Sequence, residues 1–389
     1  MNQYATPAQA AEARHLLQVY PQLGIEPTGA DGVYLQCGDR RVLDLYGGHA
    51  VAALGYRHPE LLAALDEQAK DLFFQSNAVA LDVRARAADA LIDFAPDNLE
   101  RVFFANSGAE ANENALRLAC RLTGRRRVIA IEHGFHGRTA GAGAVTWGAA
   151  DSWYGFPAQP FDVDYIARDV ADDVADKVTS DTAAVILELV QGVAGAYDLD
   201  PAFVRAIADA CHATGALLIV DEVQSGVGRC GAPFASHLYD IRPDLLTAAK
   251  SLGGGFPCAA LLTTATVASE LRAGDLGTTF GGGPLACALI ETVLRVIRRD
   301  GLADRAGKLH EQLRAALPLG PVTGLQGKGL LAGLRCSRRA RDVQRELLAA
   351  DILTGSSADP AVVRLLPPLI LESRHIDQLL NALAALPAE

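Results

Sequence analysis

Short apolar runs alternate with amphipathic stretches between about residues 100 and 265. Uninterrupted apolar runs of roughly four to eight residues are typical of strands covered on both faces of a sheet. Strands that alternate with helices favour a mostly parallel, doubly wound α/β sheet. The predicted strands are RVFFA (101–105), RRVIAIE (126–132), AAVILELV (183–190), ALLIVDEV (216–223) and CAALLTT (258–264).

The segment DPAFVRAIADACHATG lies between two of these predicted strands. Its apolar side chains from Phe203 to Cys211 fall on one helical face, and Gly215 is suited to end a helix. The segment is therefore predicted to be a crossover helix. Longer helical patterns follow in PLACALIETVLRVIRR, ADRAGKLHEQLRAAL and RHIDQLLNALAAL.

The change of pattern before residue 60 and after about residue 280 indicates two domains. Residues 61–275 are expected to form a large domain around the parallel sheet. Residues 1–60 and 276–389 are expected to form a smaller α+β domain assembled from both ends of the chain.

Composition narrows the possible partners. Half of the 389 residues are hydrophobic, which is enough for a large core. A formal net charge of −11 leaves no general basic surface, so nucleic acid is not expected as a partner. The sequence has neither a signal-peptide pattern nor an apolar stretch of roughly 18 residues, so a cytoplasmic protein with no membrane span is expected.

Cysteine and histidine spacing argues against a metal site. The seven cysteines are scattered and contain no C-x-x-C pair, so reduced thiols are expected. The histidines show no HExxH or paired-ligand spacing. No metal is therefore expected.

The stretch FFANSGAEANENALRLAC is predicted to turn from a strand into a helix at Ser107, Gly108 and Ala109. Free backbone N–H groups and the positive end of a helix dipole at such a turn bind anions, and phosphate is the natural occupant. An ordinary helix N-cap also explains a serine followed by small residues.

In ALLIVDEVQSGVGR, Asp221 and Gln224 follow a buried strand at the sheet edge where open α/β proteins bind ligands. A carboxylate there can pair with a protonated pyridine nitrogen and keep that ring an electron sink. Gln224 can then hydrogen-bond a phenolic oxygen of the ring. A turn carboxylate is the alternative interpretation of Asp221.

Lys250 lies in DLLTAAKSLGGGFP, between small residues and a glycine cluster that lets the backbone approach a flat ring. Lysine becomes nucleophilic near neutral pH when burial lowers its pKa. Lys250 is therefore a candidate to attack an aldehyde and to transfer a proton. A solvated loop lysine is the alternative.

The motifs NSGAEANE, FHGRT, DEVQSGxGR, KSLGGGFP and TTFGG occur in this order, and the chain from about residue 20 onwards resembles class III aminotransferases of the acetylornithine and ornithine branch. The resemblance implies a fold-type I transferase with a sheet of the seven-stranded type and pyridoxal 5′-phosphate as cofactor. It implies that Lys250 holds the cofactor as a Schiff base and that Asp221 pairs with its ring nitrogen. The other implied cofactor-binding residues are Ser107, Gly108 and Ala109 at the phosphate, Phe135 and Val223 at the ring faces, Gln224 at the phenolic oxygen, and Glu188 beside the cofactor.

The resemblance also implies substrate contacts and a homodimer. Arg138 matches the arginine that binds the α-carboxylate, and Arg364 matches one that binds a carboxylate of glutamate or 2-oxoglutarate. Thr279 matches a threonine that reaches the phosphate of the neighbouring subunit. The alternatives are a helix-capping role for Arg138, a strand-edge salt bridge for Arg364 and a cap or turn role for Glu188.

Two positions depart from the pattern of many relatives. Val193 stands where they carry a glutamate that pairs with the second arginine, so Arg364 is expected to remain free for a substrate carboxylate. His49 stands near the expected substrate mouth, where relatives often carry an apolar residue or tyrosine. His49 is therefore a candidate substrate-binding residue, and a histidine with no ligand is the alternative.

The resemblance implies that the terminal amine of N2-acetyl-L-ornithine is transferred to 2-oxoglutarate. N-succinylornithine or ornithine as donor, and an aminomutase of the glutamate-1-semialdehyde type, are the alternatives within this fold. A binding module is disfavoured because Lys250, Asp221 and the phosphate turn are all present. A dinucleotide-binding oxidoreductase is disfavoured because GAGAV at 141–145 lacks the G-x-G-x-x-G spacing.

Overall fold

A computed structural model describes residues 6–388 of the chain, so the ends of the two outer predicted domain segments, residues 1–5 and 389, lie outside the described residues. The strands are β1 (Gly29–Asp31), β2 (Tyr34–Cys37), β3 (Arg40–Asp44), β4 (Arg101–Ala105), β5 (Arg127–Ile131), β6 (Asp162–Ile166), β7 (Thr182–Leu187), β8 (Val190–Gln191), β9 (Tyr197–Asp198), β10 (Leu217–Asp221), β11 (Leu245–Ala248), β12 (Ala259–Thr263), β13 (Val322–Lys328), β14 (Leu331–Cys336), β15 (Ile352–Leu353) and β16 (Val362–Leu365).

Helices come before, between and after the strands of the central sheet in the chain. They are α1 (Pro7–Glu12), α2 (Gly47–Ala50), α3 (Pro59–Asp71), α4 (Asp82–Ile92), α5 (Gly108–Thr123), α6 (Ala140–Ala144), α7 (Asp172–Lys177), α8 (Pro201–Thr214), α9 (Ser236–Tyr239), α10 (Ala265–Ser269), α11 (Pro284–Arg299), α12 (Leu302–Ala315), α13 (Ala340–Ala349) and α14 (Ser373–Ala385). A 3₁₀ turn spans Lys250–Gly253.

The central sheet has seven strands in the order β4-β12-β11-β10-β7-β5-β6. The pairs from β11 through β6 are parallel, whereas β12 is antiparallel to both β11 and β4. The mostly parallel α/β sheet predicted from the apolar runs is therefore confirmed. Strand β10 is at the centre of the sheet, so a residue at its end has β11 on one side and β7 on the other.

The strand predictions differ from the structure in two ways. Two strands of the sheet, β6 and β11, were not among the predicted five. Their sequences, DVDYI and LLTA, include polar or small residues and do not form long apolar runs. The predicted strand at 183–190 is two elements, because the chain leaves the sheet after Leu187 and pairs again only at β8.

The predicted crossover helix is α8, which begins after the N-cap Asp200 and ends at Gly215 with φ 71°. Its buried side chains include Phe203, Val204, Ile207 and Cys211, the face expected from the sequence. Glycine is suited to this end because the left-handed conformation carries no steric penalty without a Cβ.

The two ends of the described chain share a second sheet. Strands β1, β2 and β3 from the N-terminal part are joined by β15 from the C-terminal part, with Ile352 beside Leu43 and Leu353 beside Asp44. Strands β13, β14 and β16 form a separate antiparallel sheet. This pairing is consistent with a domain built from both ends, while the division at residues 60 and 275 remains a prediction.

The apolar core is continuous between the C-terminal helices and the central sheet. The largest cluster of buried side chains includes Leu246 and Leu262 from the central sheet, Ile290 from α11 and Leu379 from α14. Burial of such side chains is the main favourable contribution to folding. Within residues 6–388, no helix has the combination of length and apolar character needed to cross a bilayer.

Candidate active site

A cavity of about 470 Å³ opens at the carboxyl ends of the parallel strands. This is the edge at which open α/β sheets bind ligands. Ten of the thirteen residues predicted for the site line it, so the fold brings together segments up to about 140 positions apart in sequence. They are Ser107, Gly108, Ala109, Phe135, Arg138, Glu188, Asp221, Val223, Gln224 and Lys250.

Asp221 is the last residue of β10, and three neighbouring groups hold its carboxylate in the cavity. Its Oδ2 atom accepts a hydrogen bond from Asn112 Nδ2 at 2.7 Å and lies 2.8 Å from His136 Nδ1. Its Oδ1 atom accepts from the backbone N–H of Val223 at 3.0 Å. Because a carboxylate oxygen can accept two hydrogen bonds, Oδ1 can still accept one from a ligand in the cavity.

Asn112 connects this carboxylate to the neighbouring strand. Its Oδ1 atom accepts from Thr247 Oγ1 at 2.7 Å, and its Nδ2 atom also donates to the carbonyl oxygen of His136 at 2.7 Å. The Nε2 atom of His136 is buried without a hydrogen-bond partner among the described residues. The orientation of Asp221 is therefore set by α5, by β11 and by the segment that carries His136.

Lys250 follows β11 and lines the same cavity as Asp221 and Glu188. Burial lowers the pKa of its ammonium group, Asp221 and Glu188 oppose this shift, and Arg364 adds to it. Its backbone has a φ of 44°, the left-handed region that a residue with a side chain rarely adopts. Backbone strain of this kind is characteristic of residues held in place for function.

The turn before α5 supplies the predicted anion site. Ser107 is the N-cap, and its side chain accepts from the backbone N–H of Glu110, while the Glu110 carboxylate accepts from the N–H groups of Ser107 and Asn106. Hence the N–H of Ser107 is already paired, and the N–H groups of Gly108 and Ala109 are the donors that begin the helix. A Cβ on Gly108 would lie 2.6 Å from a methyl carbon of Val223, so only glycine fits this turn.

Glu188 lines the cavity with both carboxylate oxygens paired. Oε1 accepts from the backbone N–H of Phe135 at 2.9 Å, and Oε2 accepts from that of Gly192 at 3.2 Å. Burial and the nearby Asp221 raise its pKa. Through these contacts Glu188 holds the backbone at Phe135 and Gly192, which fits the cap or turn role considered from the sequence. Direct binding of a cofactor by Glu188 remains a prediction.

Gln224 is packed against Gly192 and Arg364. A Cβ on Gly192 would overlap Gln224 Oε1 at 1.7 Å, so glycine is required for this packing. Arg364 Nη1 lies 3.5 Å from the same oxygen. With Oε1 facing Arg364, the amide nitrogen of Gln224 is the group that can still donate into the cavity, and its binding of a phenolic oxygen remains a prediction.

Arg364 does not line the cavity directly but is buried beside it, with 5% of its surface exposed. Burial lowers the pKa of its guanidinium. Across residues 6–388, its hydrogen-bond partners are neutral oxygens of Ser356, Gly192, Gln224 and Tyr46, and no carboxylate forms a salt bridge with it. The strand-edge salt bridge considered from the sequence is therefore not found among these residues, and none of their carboxylates neutralises the guanidinium.

Arg138 lies at the exposed side of the cavity. Its guanidinium carbon stands 4.3 Å from the ring centroid of Trp153, a distance typical of cation–π stacking. The described part of the chain offers it no carboxylate within salt-bridge distance. The stacking keeps a planar cation in one orientation without neutralising it.

Three predicted residues lie outside the cavity lining. Arg364 is described above. His49 belongs to the turn α2, where its Nδ1 atom lies 2.6 Å from the hydroxyl of Tyr46. Thr279 is exposed and lines a separate cavity of about 360 Å³ together with Asn106 and Glu110. Because Asn106 also borders the main cavity, the two spaces adjoin at the start of α5.

Sequence reasoning missed the residues that hold the predicted ones in place. Asn112 and His136 orient Asp221, Trp153 stacks on Arg138, and Tyr46 contacts Arg364 and His49. Asn112 and His136 lie inside the motifs NSGAEANE and FHGRT, so the motifs contained a signal for them. Trp153 and Tyr46 lie outside those motifs, and their roles depend on contacts with other segments of the folded chain.

Comparison with known proteins gives consistent matches. Residues 18–386 match the family model "Aminotransferase class-III". The acetylornithine aminotransferase of Mycobacterium leprae (strain TN) is 39% identical over 363 residues, which cover 92% of this chain and 89% of that protein. The acetylornithine/succinyldiaminopimelate aminotransferase of Yersinia pestis is 38% identical over 379 residues, 93% of each chain.

A solved structure agrees in fold over nearly the whole chain. It is the ornithine aminotransferase of Toxoplasma gondii, crystallised in the presence of oxidized glutathione and with partial occupancy of PLP at the active site. The TM-score is 0.90 at 27% sequence identity, and the alignment covers 96% of this chain and 92% of that one.

Replacing Asn112 by alanine is expected to destabilise the protein by about 1–3 kcal/mol, because Thr247 and Asp221 lose a buried partner. Asn114→Ala is the matched control on the same helix, where the side chain is only partly buried and the expected cost is below about 1 kcal/mol. Thermal unfolding of both variants measures the difference. Equal midpoints for the two variants would show that the Asn112 contacts do not stabilise the fold.

Proposed function

The chain belongs to the class III aminotransferases, and we propose that it transfers the terminal amino group of N2-acetyl-L-ornithine to 2-oxoglutarate, giving N-acetylglutamate semialdehyde and glutamate. The family match makes the chain a pyridoxal-phosphate-dependent transaminase. The observation that carries the choice of donor is the 39% identity, over 92% of the chain, to a relative named acetylornithine aminotransferase.

The residues of the cavity fit pyridoxal 5′-phosphate. The N–H groups of Gly108 and Ala109 at the start of α5 suit its phosphate. Asp221 Oδ1 retains room for one more hydrogen bond, which suits a protonated ring nitrogen. Val223 packs against Gly108 at the same end of the cavity, where its side chain suits one face of the ring, and the amide of Gln224 suits the phenolic oxygen.

When bound, this cofactor supplies an electron sink that stabilises the negative charge left when a proton is removed from a neighbouring carbon. Lys250 Nζ is proposed to take that proton from the carbon bearing the transferred amine and would then, as an acid, donate it on the cofactor side, because giving it back to the same carbon would only reverse the step. Since burial lowers the lysine pKa, the neutral base is present at lower pH than for an exposed lysine. Asn112 and His136 keep Asp221 oriented during both transfers.

Substrate carboxylates are proposed to bind at Arg138 and Arg364, neither of which is neutralised by a carboxylate of the described chain. Arg138 is exposed at the cavity mouth and held by Trp153, whereas Arg364 is buried beside Gln224. A guanidinium fork matches a carboxylate in geometry and charge. Two such sites suit donors and acceptors that carry carboxylates, and amines without an acidic group fit less well.

A second candidate donor is an N-succinylated amine. The Yersinia pestis relative is named for both acetylornithine and succinyldiaminopimelate, and its identity to this chain, 38%, is nearly the same. Ornithine is a third candidate, because the structural neighbour with a TM-score of 0.90 is an ornithine aminotransferase. The three donors differ in the group attached to the α-nitrogen.

We further propose a homodimer in which Thr279 reaches the phosphate site of the neighbouring subunit. Thr279 is exposed in the single chain, beside Phe280, which is 65% exposed. Phe280 and Phe74 pack with ring centroids 5.3 Å apart, and Phe73 is 68% exposed. An exposed apolar patch of this kind indicates a protein interface, and its position beside the start of α5 suits a second copy of the chain.

The first test compares acetylated, succinylated and free ornithine, each with 2-oxoglutarate. We expect the highest kcat/KM for the acetylated donor, and we expect Lys250→Ala to reduce turnover to background because the proton-transferring amine is lost. Glutamate formation is the measurement. A preference for another donor would replace the proposed substrate, and conversion of an aminoaldehyde without any added oxo acid would indicate an aminomutase.

Val193→Glu is expected to raise the KM for 2-oxoglutarate, because a carboxylate near Arg364 would compete with the substrate carboxylate. The variant is also expected to accept amines without an acidic group more readily than the parent. Val193→Gln is the matched control, since it has the same shape without the charge. If Val193→Glu keeps both the donor preference and the KM of the parent, the role proposed for position 193 is wrong.

Mixed dimers of Thr279→Ala and Lys250→Ala subunits test whether Thr279 acts in trans. Thr279→Ala alone is expected to weaken cofactor binding by about 10-fold or more, since a hydrogen bond to a charged group is lost. If Thr279 serves the neighbouring subunit, each mixed dimer contains one intact site. Activity of doubly tagged, purified mixed dimers at limiting cofactor should therefore reach about half that of the parent. Activity no higher than that of Thr279→Ala would contradict the exchange.

A further inference from the structure

Residues 278–283, the Thr279 loop, have the sequence TTFGGG and lead into α11. Glycine loses more conformational freedom on folding than any other residue, so a loop with three consecutive glycines is costly to order. Thr279 itself is exposed. An exposed threonine can serve as a fixed hydrogen-bond donor only if contacts from other segments hold its loop in one conformation.

The loop is attached to the strand that precedes the phosphate turn. Thr278 Oγ1 accepts from the backbone N–H of Gly281 at 3.0 Å, which closes a turn around Thr279. Asn106 Nδ2 lies 3.4 Å from the same hydroxyl oxygen. A Cβ on Gly281 would lie 2.4 Å from the carbonyl oxygen of Phe104, so the turn packs directly against the end of β4.

Arg84, in the first turn of α4, attaches the loop to a second segment. Its Nε atom donates to the carbonyl oxygen of Gly282 at 2.7 Å. Its Nη1 and Nη2 atoms donate to the carbonyl oxygens of Val79 at 3.0 Å and Ser76 at 3.2 Å. Across residues 6–388, the hydrogen-bond partners of Arg84 are carbonyl oxygens, and no carboxylate forms a salt bridge with it.

The segment before α4 also contacts the loop itself. Asn77 Nδ2 donates to the carbonyl oxygen of Gly281 at 2.9 Å, next to the carbonyl that Arg84 binds. Arginine suits this position because its planar fork of five N–H groups can reach carbonyl oxygens of two segments at once, whereas a lysine ammonium cannot. A hydrogen bond from a charged donor is also worth more than one between neutral groups. Arg84 is therefore the main link between the two segments.

We propose that Arg84 is a positioning residue for cofactor binding. By holding the backbone of the Thr279 loop, it keeps the Thr279 hydroxyl where it can bind the phosphate of pyridoxal 5′-phosphate in the neighbouring subunit. The inference rests on the proposed function, which assigns Thr279 to that phosphate. Arg84 acts through the loop, because backbone oxygens occupy its nitrogen atoms. It adds to the site a residue of α4 that the sequence motifs do not contain.

Two forms of the cofactor separate this role from a general effect on the fold. Pyridoxal lacks the phosphate that Thr279 is assigned to bind, so the loop should matter for pyridoxal 5′-phosphate and not for pyridoxal. Each compound is titrated into the full-length enzyme after removal of its cofactor, and equilibrium dialysis with absorbance gives the dissociation constant. Neither amino donor nor oxo acid is present, so the identity of the donor does not affect the result.

We expect Arg84→Ala to weaken binding of pyridoxal 5′-phosphate by about 3- to 10-fold, and no more than Thr279→Ala does, because the phosphate contact is lost. Affinity for pyridoxal should stay within about 2-fold of the parent, since that ligand makes no phosphate contact. In the Thr279→Ala background, adding Arg84→Ala should change the affinity for pyridoxal 5′-phosphate by less than about 2-fold, because both changes remove the same contact. Arg84→Lys should lie between the parent and Arg84→Ala.

Arg86→Ala is the matched control on the same helix. Arg86 forms salt bridges with Asp82 and Glu291, and its side chain is about half exposed. Exposed ion pairs contribute little, so this variant should keep both affinities within about 2-fold of the parent. Thermal unfolding of each variant shows whether it is folded. Should Arg84→Ala fail to fold, Arg84→Lys carries the same comparison, and a loss confined to pyridoxal 5′-phosphate is again the expected result.

Three results would overturn the role of Arg84. They are unchanged affinity for pyridoxal 5′-phosphate in Arg84→Ala, equal losses for both ligands, and full additivity with Thr279→Ala. Unchanged affinity in Thr279→Ala would contradict the phosphate contact of Thr279 and, with it, this proposal. An enzyme that shows the expected selectivity but prefers another amino donor would contradict the proposed donor alone.

Discussion

The site depends on one buried carboxylate being kept in a single orientation. Asp221 lies at the end of the central strand β10, with 3% of its surface exposed, and removal of a carboxylate from water is unfavourable unless hydrogen bonds compensate. Asn112, His136 and the N–H of Val223 provide those bonds. They come from a helix, a loop and the strand end, so the carboxylate keeps its orientation only when these elements are packed together.

The same packing joins the two halves of the site. Ser251, which directly follows Lys250, donates a hydrogen bond to the carbonyl oxygen of Ala50 in α2. This bond joins the segment of Lys250 to the N-terminal part of the chain. Arg229 is fully buried, and its guanidinium donates to the carbonyl oxygens of Leu330 and Pro367 in the C-terminal part. Burial lowers the Arg229 pKa to about 10. Arg229 therefore holds the loop that follows Asp221 against the segment that follows Arg364. As a result, the positions of Asp221 and Arg364 depend on the same packing.

The parts of the fold that follow from local patterns were predictable. Long apolar runs identified β4, β5, β10 and β12, and the apolar face of α8 with Gly215 at its end identified that helix closely. The strands β6 and β11 were missed because their own sequences are mixed or small. Their place in the sheet comes from pairing, with β11 between β12 and β10 and β6 at the edge beside β5. Burial within a sheet is decided by contacts with other segments, and local propensity contains only part of that information.

By itself, the sequence determined the chemical groups at the site, because the motifs specify an amine at Lys250, a carboxylate at Asp221 and a helix start at Gly108. Only the tertiary structure decided how those groups are held and which protons they carry. The contact between Tyr46 and Arg364 joins residues 318 positions apart, and the left-handed backbone of His49 is imposed by its surroundings. The physical reason is that residue identity fixes a group's chemistry, whereas its orientation, charge state and free donors depend on neighbours that only the folded chain brings together.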